Sequence, residues 1–165
     1  MRTRIARTIL PLVLVACIQP LVSAQTIRAP QHKHRARHNR IVGVWDVQNR
    51  VLDCSTGAQI ATFPALHKYE LGGTLQVVPG GNNPTSASAH TGIWQPVGKN
   101  QYQMAFEFFR YDSAGNNIGW AVVRNDVAIN EAATAYAGSG KAEIFDSNGN
   151  SLATSCPTFT GTRFQ

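Results

Sequence analysis

The chain has 165 residues, a length that suits one domain, and its 15 basic and 9 acidic residues give a net charge of +6. The positive charge is confined to the first 40 residues, because residues 41–165 contain seven basic and all nine acidic residues, for a net charge of −2. A nucleic-acid-binding domain needs a basic patch on its folded surface, so this distribution argues against nucleic acid as a partner.

Residues 1–24 have the features of a signal peptide. Three arginines precede an apolar run over residues 9–18, and Val22 and Ala24 occupy the −3 and −1 positions before Gln25. The apolar run is shorter than the roughly 20 residues that a membrane-spanning helix needs. We therefore expect cleavage before Gln25 and a mature protein that is secreted or periplasmic.

One alternative for the N-terminus concerns Cys17. Leu14-Val15-Ala16-Cys17 resembles a bacterial lipobox, in which the cysteine becomes a lipidated N-terminus and anchors the protein to a membrane. In the other interpretation, Cys17 is an apolar residue that leaves with the signal peptide. The complete cleavage site before Gln25 favours this second interpretation.

Residues 25–40 form a strongly basic stretch without an acidic residue, which predicts a disordered linker. Neutral imidazoles of His32, His34 and His38 can bind zinc or copper, but the interleaved lysine and arginine side chains repel a metal cation. We therefore expect no dedicated metal site and no cofactor. The linker can also contact anionic surfaces such as lipid or polysaccharide.

Residues 41–165 predict an all-β domain. Apolar and aromatic residues alternate in short runs separated by Gly, Asn, Pro and Asp, and helical spacing is absent. Short links between successive strands favour an up-and-down antiparallel meander, which can close into an eight-stranded barrel. The predicted strands lie near residues 41–53, 58–63, 67–78, 90–97, 101–111, 117–130, 133–146 and 151–164.

Cys54 and Cys156 are the cysteines left after export, and they are expected to form a disulfide in an oxidising compartment. If the first strand pairs with the last and the cysteines face each other, Trp45 lies opposite Gln165 and diagonal to Arg163. Strict alternation then places Cys54 and Trp45 on opposite faces, so a bulge or the strand end has to intervene. Closing a loop of about 100 residues is worth roughly 4–5 kcal/mol in the chain-entropy model.

Gly43-Val44-Trp45 on the first strand, with Arg163 at the end of the last, resembles the calycin pattern of lipocalins, avidins and fatty-acid-binding proteins. The segments His90–Trp94 and Phe106–Arg110 also resemble those of bacterial secreted lipocalin-like proteins of unassigned function. The second and third lipocalin motifs, a Thr-Asp-Tyr and a C-terminal helix, are absent. The resemblance implies a barrel with a ligand cavity and names no substrate. It also implies that Arg163 stacks on Trp45 to seal the barrel, a structural role.

The leading functional hypothesis is a binding protein whose lumen holds a small apolar or amphipathic molecule. Six aromatic residues are the predicted ligand-binding set: Trp94, Tyr102, Phe106, Phe108, Trp120 and Tyr136. One alternative is a barrel enzyme of the isomerase or cyclase type, with catalytic groups drawn from His90, Tyr102, Glu107 and Asp126. Another is a filled barrel that acts as an interaction module. Since no nucleophile, phosphate or dinucleotide motif is present, the binding protein is favoured.

Overall fold

The computed structural model describes residues 39–81 and 83–165, and the predicted signal peptide and most of the predicted linker lie outside these residues. Eight antiparallel strands, each paired with its sequence neighbours, form a barrel that β1 and β8 close. The strands are β1 Gly43–Leu52, β2 Gln59–Tyr69, β3 Thr74–Pro79, β4 His90–Gly98, β5 Gln101–Tyr111, β6 Asn117–Ile129, β7 Ala135–Phe145 and β8 Ser151–Arg163. The predicted all-β barrel is confirmed, and no described helix is long and apolar enough to span a membrane.

Side chains alternate between the lumen and the outer surface along each strand, as the period of two requires. On β1, Trp45, Val47 and Asn49 are buried in the lumen, whereas Asp46 and Gln48 are exposed outside. Residues that pair directly across neighbouring strands lie on the same side of the sheet, so the alternation continues around the whole barrel. One face of every strand therefore lines a shared interior.

The boundary between β2 and β3 differs from the prediction, which interrupted the strands at residues 64–66. Strand β2 runs through Pro64, whose carbonyl oxygen accepts a hydrogen bond from the Gly80 amide at 2.7 Å. The β2–β3 ladder ends one pair away, at Ala65 and Pro79, so a missing N–H is tolerated at this position. The turn lies instead at residues 70–73, where Gly72 and Gly73 adopt positive φ.

The pairing of β1 with β8 is shifted by two residues from the prediction. Trp45 lies directly opposite Arg163 and not opposite Gln165. The strand β1 ends at Leu52, which pairs with Cys156, and Cys54 follows in the turn. The Cys54–Cys156 disulfide therefore joins a turn to a strand across a Cα–Cα distance of 5.1 Å. Because β1 ends at Leu52, strand alternation does not extend to Cys54. The predicted conflict between the faces of Cys54 and Trp45 therefore does not arise.

Arg163 joins the first strand, the last strand and the β6–β7 turn. Its guanidinium lies 4.3 Å from the centroid of the Trp45 ring and donates hydrogen bonds to the carbonyl oxygens of Val42 and Ala133, at 2.9 and 2.8 Å, and of Arg40. A Cβ atom at Gly43 would lie 2.7 Å from Nη1 of Arg163. Glycine at the start of β1 is thus what allows the guanidinium to approach.

We expect the Cys54→Ala/Cys156→Ala double variant to lose about 4 kcal/mol of unfolding free energy, because the disulfide closes a loop across a sequence separation of 102 residues. Urea unfolding of the oxidised protein and the variant measures the loss, and the reduced wild type serves as the control. A loss below about 1 kcal/mol would contradict the expectation that the disulfide stabilises the fold by restricting the unfolded chain.

Candidate functional site

The two ends of the barrel differ. The β2–β3, β4–β5 and β6–β7 turns lie at one end, which we call the base, together with the chain leading into β1 and the end of β8. The β1–β2, β3–β4, β5–β6 and β7–β8 connections lie at the other end, which we call the mouth. Among the described residues, inward-facing side chains are more exposed toward the mouth than toward the base.

The base half of the lumen is filled. The Arg163 guanidinium covers Trp45, which is fully buried and donates from Nε1 to the Ile41 carbonyl at 2.7 Å. Small residues let the aromatic rings pack, since a Cβ atom at Gly138 would lie 2.2 Å from the Phe159 ring. Other large side chains of this layer are buried to 5 % exposure or less: Tyr69, Leu75, Trp94, Tyr102, Ile129 and Tyr136.

A buried hydrogen bond lies above this aromatic layer. The Tyr136 hydroxyl is 2.9 Å from Nδ1 of His67, and both side chains are buried. Burial lowers the pKa of His67 from 6.5 to about 3, and the neighbouring His90 lowers it in the same direction. His67 is therefore a neutral imidazole at physiological pH.

The mouth half is more open, and its inward-facing aromatic side chains are half-buried. Phe106 and Phe108 of β5 and Phe63 of β2 all face the lumen there and retain contact with solvent. The inward-facing positions of β7 toward the mouth carry the small residues Gly140 and Ala142. Half-buried rings at a solvent-accessible end are compatible with a ligand-binding barrel.

His90, at the start of β4, lies between the aromatic side chains of the mouth. Its ring stacks on Phe108 with centroids 3.8 Å apart and planes 9° apart, and Phe106 lies 5.8 Å away on centroids, with planes 17° apart. The side chain is buried, with 5 % exposure, yet neither ring nitrogen has a hydrogen-bond partner. Burial lowers the pKa of His90 to about 4, so the imidazole is neutral.

Two further interior polar groups have buried atoms without partners. Nη1 of Arg110 is buried and unpaired within the described part of the chain, and this residue has the inward parity of Phe106 and Phe108. The Oδ1 atom of Asn125, on the facing strand β6, is likewise unpartnered. Buried polar atoms normally have a partner, and a water molecule or a ligand can supply it here.

The barrel wall has a gap near His90. The β3–β4 ladder ends at the pair Val77 and His90, and the chain preceding β4 leaves β3 and pairs with β5 through Ala87 and Arg110. A cleft of about 320 Å³ lies between β3 and residues 83–89. Val77, Ala87 and His90 are among its lining residues, so the cleft extends to the start of β4.

The six predicted ligand-binding residues fall into three groups. Phe106 and Phe108 lie in the mouth half, whereas Trp94, Tyr102 and Tyr136 belong to the filled base. Trp120 lies on the outer face of β6, where its ring stacks on Phe145 at 5.4 Å. The structural residues are placed as expected, because Trp45 contacts Arg163 and Cys54 bonds to Cys156.

The residues proposed for acid–base chemistry do not converge. His90 and Tyr102 face the lumen, but Glu107 and Asp126 are exposed on the outer surface. All four carboxylates carried by the strands lie on the outer face: Asp46, Glu107, Asp126 and Glu143. An acid–base pair inside the lumen is therefore missing among the described residues.

The sequence reasoning missed the inward polar residues His67 and Asn125, and it considered Arg110 but did not select it as a site residue. Arg110 is two and four residues from Phe108 and Phe106, so strand alternation alone places it on their face. The prediction placed His67 at the start of the next strand and not inside β2, so its inward-facing position was not recognised. No feature of the sequence indicated that Arg110 and Asn125 would lack partners.

Among residues 39–81 and 83–165, no cluster of three His, Cys, Asp or Glu side chains is arranged to hold a metal ion. The predicted weak metal ligands His32, His34 and His38 lie outside the described residues. In comparisons with known proteins, no protein-family model, no curated protein and no solved structure matches the chain.

We expect the protein to lose stability as the pH falls from 7 to 5. Folded His67 and His90 have pKa values of about 3 and about 4, so they stay neutral in this range while the unfolded histidines, with a pKa near 6.5, bind protons. Each histidine then contributes a loss of about 2 kcal/mol by pH 5. Urea unfolding at pH 7, 6 and 5 measures it.

The His90→Phe variant keeps a stacked ring and removes one of these titrations. We expect its loss between pH 7 and pH 5 to be about half that of the wild type. An unchanged pH dependence would contradict this account, because it would show that His90 binds its proton in the folded protein over the same pH range as in the unfolded chain.

Proposed function

We propose that this protein is an exported, calycin-like binding protein that holds a small apolar or amphipathic molecule in the mouth half of its lumen. The observation that carries the proposal is the difference between the two ends. Trp45 and Arg163 close the base, whereas the rings of Phe106 and Phe108 remain half-buried at the mouth. A closed floor beneath an accessible apolar chamber is the usual form of a small-ligand site in a barrel.

Two observations support export. The Cys54–Cys156 disulfide suggests an oxidising, extracytoplasmic compartment, because cytosolic thiols are kept reduced. The first 24 residues have the order of basic, apolar and small residues that a secretory signal requires. We propose that cleavage precedes Gln25.

The calycin likeness gains support from the contact that the sequence pattern implied. Gly43, Trp45 and Arg163 meet at the base of a closed eight-stranded barrel, and glycine is needed where Arg163 approaches. The binding hypothesis is favoured over the enzyme, because the described lumen lacks the carboxylate that would assist His90. The filled base by itself would suit an interaction module, so a ligand assay has to decide between these two.

We expect native mass spectrometry of the protein purified from its export compartment to show an added mass that disappears on denaturation. The same mature protein should bind the uncharged fluorescent probe N-phenyl-1-naphthylamine. Phe108→Ala is expected to weaken probe binding about tenfold or more, since truncating a buried aromatic contact costs more than 1.4 kcal/mol.

The matched control is Phe109→Ala, because Phe109 neighbours Phe108 in sequence but lies on the outer face with 48 % exposure. Its probe affinity should stay within about threefold of the wild type. A clean native mass together with no probe binding would overturn the proposal and favour the interaction module. Equal losses from both variants would place the probe outside the lumen.

A further inference from the structure

We propose that the bound molecule is a small organic anion with a flat apolar body, and that its carboxylate is held by Arg110 and His90 beside the gap between β3 and β4. This inference rests on the proposed function and specifies the ligand class of the same site. It follows from the charge inside the lumen, the unpartnered atoms and the opening in the wall.

The guanidinium of Arg110 has no ion-pair partner among the described residues, and the mouth-turn carboxylates of Asp53, Asp112 and Asp146 accept hydrogen bonds within their own turns. Arg110 is inward-facing, and its Nη1 atom is buried without a partner in the described part of the chain. The strand carboxylates are all outside, so none of them neutralises the guanidinium within the lumen. A buried cation requires an anion or strong acceptors, and a planar carboxylate matches the fork of a guanidinium.

His90 supplies a second polar contact. Its imidazole is buried and neutral, so one ring nitrogen can donate a hydrogen bond and the other can accept one. Neither nitrogen has a partner in the protein, although the ring is held firmly between Phe106 and Phe108. A ring fixed by stacking with free nitrogens is pre-organised to bind a polar group.

The shape of the chamber indicates a flat ligand. The planes of the Phe106 and Phe108 rings lie 17° and 9° from the plane of the His90 ring, so the three side chains form a stacked aromatic wall. Flat aromatic molecules bury more area against such a wall than branched ones, and offset stacking adds to the contact. The apolar body would therefore lie along this wall, with its carboxylate toward Arg110.

The gap in the barrel wall gives the anion a route to this site. The cleft of about 320 Å³ is lined by Ala87, which pairs with Arg110, and by His90. Since β3 and the segment 83–89 share no ladder past Val77, the opening is not closed by strand hydrogen bonds. A molecule in this cleft lies against the start of β4 at His90 and beside the strand that carries the guanidinium.

The test compares 2-naphthoate with its uncharged analogue 2-naphthalenemethanol by isothermal titration calorimetry on the mature, oxidised protein. We expect the wild type to bind the carboxylate at least tenfold more tightly than the alcohol. Arg110→Gln should weaken the carboxylate about ten- to a hundredfold and leave the alcohol within about threefold, because a hydrogen bond to a charged group is lost. His90→Phe, which preserves the stack, should weaken the carboxylate by a smaller factor.

Arg124→Gln is the matched control, because Arg124 lies on the outer face and pairs with Glu143 at 3.3 Å. It should bind both probes as the wild type does. If Arg110→Gln fails to fold, the test uses Arg110→Lys in its place, together with the preference of the wild type for the carboxylate over the alcohol. Equal binding of the two probes would overturn this inference and leave the proposed function intact. Binding of neither would also overturn it, while a co-purified mass would still support the proposed function.

Discussion

The stacking of Arg163 on Trp45 is the contact on which the rest of the barrel depends. One guanidinium, 4.3 Å from the indole centroid, also binds carbonyl oxygens from the chain before β1 and from the β6–β7 turn. The donors of a single side chain thus connect the first strand, the last strand and a turn between them. Because a charged group with satisfied donors can be partly buried at little cost, the base closes without a helix to cover it.

Closing the base determines the chemical character of the remaining lumen. Aromatic rings fill the layer above Trp45, and the glycines at Gly138 and Gly161 make room for them. The layers toward the mouth contain fewer large residues, so solvent reaches the rings of Phe106 and Phe108 there. Two of the polar groups left without partners, His90 and Arg110, also lie toward the mouth, whereas Asn125 lies level with Trp94. The barrel therefore has a closed base and a mouth where aromatic and polar side chains meet.

The sequence predicted the strand number, the disulfide and the Trp45–Arg163 contact, because alternation, turn residues and two cysteines are local or pairwise signals. The predicted strand boundary was wrong at residues 64–66, which include Pro64. Strand β2 continues through this proline because the β2–β3 ladder, which would need its N–H group, ends at the neighbouring Ala65. Trp120 shares its strand face with Arg124 and Asp126, so the charged residues of β6 indicated its outward placement, although it was assigned to the ligand-binding set. The gap between β3 and β4 depends on how residues 83–89 pair with β5, and no periodicity in that segment indicates it.

The central claim is that the lumen is closed at the base and accessible at the mouth. NMR relaxation of side-chain protons in the presence of an uncharged soluble paramagnetic agent tests it most directly, because the effect depends on the distance of closest approach. We expect strong broadening for Phe63, Phe106 and Phe108 and little for Tyr69, Leu75 and Ile129. Equal protection of both groups would show a filled barrel and contradict the account, and broadening confined to the base group would reverse it.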